Sequence, residues 1–96
     1  RYADLPVLGV DAARTRYQVR LRVDDRPGVL ASVAAVFAAH GVSIEAVRQS
    51  GGSGDEADLL VVTHVATERA LRATVHQLEG LDAVDAVVSV LRVEGA

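Results

Sequence analysis

The sequence predicts an α+β fold in which two helices cover one face of a four-stranded antiparallel sheet. Three observations carry this. Period-two and 3–4 spaced apolar patterns alternate in the order β-α-β-β-α-β. The second and third strands are separated by a turn cluster, Ser50-Gly51-Gly52-Ser53-Gly54-Asp55, which makes them a hairpin. The 96 residues are enough for one small domain, and half of them are hydrophobic, so a core can form. The order is that of a ferredoxin-like βαββαβ sandwich, and right-handed crossovers place strands one and three at its centre.

Each element follows from its residues. Residues 1–15 (RYADLPVLGVDAART) show no period, and Pro6 and Gly9 mark an extended lead-in or linker whose Leu5, Val7 and Leu8 could dock on a neighbour. Over 16–24, Tyr17, Val19, Leu21 and Val23 point one way and Arg16, Gln18, Arg20 and Arg22 the other, a strand with one apolar face. Residues 27–40 read as a helix through Val29, Leu30, Val33, Val36 and Phe37. Pro27 suits its first position, His40 its last turn, and Gly41 the position just past its end. Strands are expected over 42–50 and 56–66, then a helix capped by Thr67, with Leu71, Val75 and Leu78 as its buried stripe, ending at Gly80. Residues 84–93 form the last strand. In the third strand Leu59, Val61, Thr63 and Val65 make one face and Leu60, Val62 and His64 the other, so both faces are apolar in the middle. With Val87, Val88, Val90 and Leu91 of the last strand, that predicts an apolar patch on the face away from the helices, covered by a second copy or another domain.

Composition excludes several classes of function. A net charge of −3 gives no support to a nucleic-acid or anionic-membrane surface. There is no cysteine, and His40, His64 and His76 are too far apart to share a helical turn, so neither thiol chemistry nor a histidine metal site is expected. No apolar run reaches membrane-spanning length and no signal peptide is visible, so the expectation is a soluble cytoplasmic module, a fragment of something longer. Nucleophiles are equally scarce: Ser32 falls inside a helix and Ser89 inside a strand. Asp24 and Asp25 could form a carboxylate pair, but beside Arg26 and a helix start a solvated capping role is favoured. The glycine-rich turn leads into a strand rather than a helix, which argues against phosphate binding. An RNA-binding sheet would need exposed aromatics, and the central strands offer only Tyr17, on the helix side. What remains is a ligand-binding or regulatory module.

The stretch DDRPGVLASVAAVFAAHGVSIEAVRQ, residues 24–49, resembles the signature of the ACT domain, a small-molecule-sensing fold attached to metabolic enzymes. Asp-x-Pro-Gly-Val-Leu, Phe37, Gly41 and Ile44 stand at the family's spacing, and the resemblance covers residues 16–94. With the lead-in RYADLPVL, the chain is most similar to the C-terminal regulatory region of the bacterial homoserine dehydrogenase family. The resemblance implies an amino-acid effector, threonine first, held between two copies of the domain. The Asp25–Leu30 loop of one copy, with Arg26, Gly28 and Val29, would meet Val42, Ser43 and Ile44 of the other, and Gln49 is a weaker candidate. It also implies a homodimer through the sheet, and an upstream catalytic region that uses NAD(P), with no catalytic residue, cofactor or metal in these residues. Ser43 stands where many amino-acid-binding members carry Asn, which leaves open a purely structural dimerisation role. An ACT domain of another biosynthetic enzyme, such as aspartate kinase or phosphoglycerate dehydrogenase, is the other alternative.

Overall fold

A computed structural model of the chain describes residues 14–51 and 54–93. Its elements are β1 (Arg14–Asp24), α1 (Val29–Ala39), β2 (Ile44–Gly51), β3 (Glu56–Thr63), β4 (Ala66–Thr67), α2 (Glu68–Glu79) and β5 (Val84–Val93). The expected β-α-β-β-α-β order is present, with two-residue β4 added. The lead-in predicted over 1–15 lies outside the described residues, except that Arg14 and Thr15 open β1 and pair with β4. The sheet runs β2-β3-β1-β5, so β1 and β3 are central as the crossover argument requires, and all pairings are antiparallel.

Alternation in β1 decides the layers. Tyr17, Val19, Leu21 and Val23 are buried beneath the helices, opposite Ala57, Leu59 and Val61 of β3. Phe37, Val33 and Val36 of α1 and Leu71 and Leu78 of α2 close the core from above. Two buried threonines fit this apolar layer because each hydroxyl is engaged. Thr63 Oγ1 accepts from the Tyr17 N–H at 3.1 Å, and Thr74 Oγ1 donates to the Ala70 carbonyl at 2.8 Å. Val75, expected in the stripe of α2, is half-buried, and Thr74 takes the buried place.

The structure corrects four local expectations. Pro27 is not the first residue of α1. It sits with Gly28 at the corner of a turn closed by the Val29 N–H on the Arg26 carbonyl at 3.4 Å, and α1 starts at Val29. Gly28 has φ 88° and ψ −14°, the third residue of a type II turn, a backbone that residues with a Cβ resist. His40 lies past the last turn of α1, where its Nε2 is 2.7 Å from Gln77 Oε1 of α2. The third strand stops at Thr63, so His64 is not mid-strand; it is exposed in the link to β4, its N–H donating to the Ser43 carbonyl at 2.9 Å. Neither Asp24 nor Asp25 caps α1; Asp24 Oδ2 instead accepts from Arg26 Nε at 3.2 Å.

The face away from the helices is less apolar than its third strand implies. Leu60 and Val62 do lie there, half-buried, but Arg20 and Arg48 stand in register on either side of Leu60. In the last strand, Val87 pairs with Leu21 and Val90 with Val19 on the helix side, while Leu91 pairs with Gln18 on the open side.

Candidate effector site

The turn after β1 is held from both flanks. The Asp24 N–H donates to the Ala83 carbonyl at 2.9 Å and the Asp25 N–H to the Asp55 carbonyl at 2.6 Å, so the loop is stitched to the start of β5 and to the hairpin turn. Between this loop and β2 is a cleft of about 390 Å³ lined by Val23, Asp24–Leu30, Gln49 and Leu59. α1 begins here with no side-chain cap and no acidic residue in its first turn, so its leading N–H groups and positive end are not screened by a carboxylate. A Cβ built on Gly28 would meet nothing within 4 Å, so the backbone is open to a ligand. Arg26 is tied to Asp24, while the exposed Asp25 has no ion pair among the described residues.

Gln49 joins this loop within one chain. It pairs with Leu59 of β3, which pairs in turn with Leu21, and that register turns Gln49 to the helix side beside the loop. Val23 and Leu59 also line the cleft and were not singled out from sequence. Val23 could have been found, as the last inward residue before the loop; Leu59 needed the strand register.

Val42, Ser43 and Ile44 do not reach the loop of their own chain. They line a second cleft, of about 470 Å³, with Ala34, Ala38 and Gly41 near the far end of α1. Within these two groups, Val29 and Val42 are core residues, 5% and 2% exposed, and their N–H groups bond to the Arg26 and Phe37 carbonyls. Ser43 is exposed and Ile44 half-buried. At the hairpin end, Glu56 is held above the ordinary glutamate range, chiefly by its hydrogen bond with Asp85. Among the described residues no three His, Cys, Asp or Glu side chains gather as a metal site, and no helix is long and apolar enough to cross a membrane.

The model of the ACT domain family matches residues 17–82. The chain belongs to the ACT domain family. This ACT domain is 49% identical over 100 residues to a homoserine dehydrogenase of Mycobacterium tuberculosis, across 99% of this chain and 23% of that protein. It is 42% identical over 93 residues to the homoserine dehydrogenase of Corynebacterium glutamicum, across 97% of this chain and 21% of that one. A solved homoserine dehydrogenase from Thiobacillus denitrificans superposes with a TM-score of 0.79 at 38% identity, over 88% of this chain and 19% of that chain. The ACT domain thus spans less than a quarter of the relatives it matches.

Proposed function

We propose that residues 16–94 are the amino-acid-sensing regulatory domain of a homoserine dehydrogenase, and that residues 1–15 link it to an upstream catalytic region. That region would interconvert aspartate semialdehyde and homoserine with NAD(P). The 96 residues hold neither a Gly-x-Gly-x-x-Gly fingerprint nor a lysine, so the dinucleotide belongs upstream and this domain has no chemistry of its own. The relatives' identity supports the enzyme, and the loop cleft supports the sensing role. The single observation that carries sensing is the uncapped start of α1 at Gly28, facing a cleft that also holds Asp25 and Gln49.

In this reading a small amino acid, threonine first, sits between two copies. Its carboxylate takes the first-turn N–H groups of α1 beyond Val29, whose N–H closes the turn on Arg26, and its ammonium takes Asp25. Val42, Ser43 and Ile44 of the second copy close the site; in one chain they line a cleft separate from the loop, as a two-copy site requires. A thermal-shift screen with the twenty amino acids tests binding, since a ligand held only by the native state raises Tm. Gly28→Val tests the place: the folded, dimeric variant is expected to lose binding in calorimetry. A folded variant that binds threonine as tightly as the parent moves the site elsewhere. A parent that binds no amino acid leaves a domain that only dimerises, the reading that Ser43 in place of Asn favours.

A further inference from the structure

We propose that the open face of the sheet is a docking surface for an acidic, partly apolar surface of the catalytic region that accompanies this domain. The inference rests on the reading of the chain as part of a larger enzyme. Strand register builds the face. Ala46, Val62, Gln18 and Leu91 form one row across all four long strands, and Arg48, Leu60, Arg20 and Ser89 form the next. Leu60 and Val62 are half-buried and Leu91 is 57% exposed, so a partly apolar strip, interrupted on β1 by Gln18 and Arg20, crosses the sheet with nothing among the described residues over it.

The unpaired charges on this strip are of one sign. Arg16 pairs with Glu45, and Arg22 Nε lies 3.6 Å from Asp58 Oδ1. Arg20 and Arg48, on the two sides of Leu60, have no ion pair among the described residues. A guanidinium beside an apolar strip accepts a carboxylate in a two-pronged contact as its stem packs on the neighbouring aliphatic groups.

These features choose the occupant. A second copy stacked strip on strip would bring both pairs of unpaired arginines together, which like charge opposes. The open face, about 19 Å across its four long strands and about 24 Å along them over residues 16–22 of β1, offers about 450 Å² a side. That lies within the range of contacts between domains of one chain and well short of an obligate dimer. With no aromatic side chain on it and a chain net charge of −3, the face is poorly made for nucleic acid. The relatives supply the partner: more than three-quarters of the Mycobacterium protein lies outside the match.

Hydroxyl-radical footprinting tests this, comparing the 96-residue chain with the same chain carrying the catalytic region found in its relatives. Labelling of Leu60, Val62 and Leu91 is expected to fall at least about threefold in the longer protein, while Val65, exposed in the β3–β4 link, labels equally in both. Arg20→Glu with Arg48→Glu is expected to restore labelling to the level of the short chain. Equal labelling in both proteins overturns the proposal, and so does protection that survives the double reversal. Protection in the short chain that grows with its concentration overturns it in favour of a second copy, and protection only on adding RNA or DNA overturns it in favour of nucleic acid. The footprint reads contact alone, so a parent without amino-acid binding would end the sensing role and leave this test intact.

Discussion

Thr63 shows how one hydroxyl holds a strand end. The β1–β3 ladder begins at Gln18 and Val62, so the buried Tyr17 N–H has no ladder carbonyl and bonds to the Thr63 side chain instead. Thr63→Val keeps the shape and raises the apolar content, yet leaves that N–H unpaired in a fully buried place. The expected loss is about 1–3 kcal/mol in urea unfolding; Thr63→Ser, which keeps the acceptor, should lose less. A neutral Thr63→Val would mean that the N–H finds another partner. Gly28 is the second such residue, because its φ of 88° is the condition for the turn that opens the cleft.

At the scale of elements, the two helices start differently. α2 begins with Thr67, whose Oγ1 accepts from the Ala70 N–H at 3.1 Å, and carries Glu68 in its first turn. α1 has neither device. Thr67→Ala should therefore destabilise the domain by about 1 kcal/mol, as caps of this kind do, with no effect on amino-acid binding. A change in binding would show that the two helix starts are coupled. The strands also differ. β5 is interrupted by two register shifts against β1, while β2 has one, beside Ile44, and then runs regularly from Ala46 to Gly51. Irregular edges resist pairing and regular ones invite it.

For the whole molecule, that contrast points self-association to the β2 edge. Leu30 on α1, 45% exposed, and Val47 on β2, 38% exposed, flank it. Two β2 edges meeting side by side would join the sheets into one of eight long strands and bring the loop of one copy towards Ser43 of the other. Val47→Glu should weaken that association at least tenfold, about 1.4 kcal/mol, in sedimentation at micromolar to tens of micromolar concentration, without unfolding the domain. Parent and variant both sedimenting as monomers throughout that range would remove the side-by-side dimer and with it the two-copy site.

The element order, the inward face of β1, the Thr67 cap and the link from Asp-x-Pro-Gly to the ACT fold were legible in the residues alone. Those features depend on local period, on turn chemistry and on motif spacing, all of which a linear sequence carries. The end of β3 before His64 and the short β4 were not, because each depends on which backbone groups find partners across the sheet; the Pro27-Gly28 turn was read as a helix start, although the bond that closes it, Val29 N–H to the Arg26 carbonyl, is local. Gln49 is the clearest case. Only its pairing with Leu59 turns it to the loop, and a shift of one residue would have put it on the open face. The arginine-flanked strip is another: Arg20, Leu60 and Arg48 are far apart in the chain and become neighbours only when three strands align. Local periodicity determined which side of β1 is buried, while long-range register decided the buried side of β3 and which residues share a site.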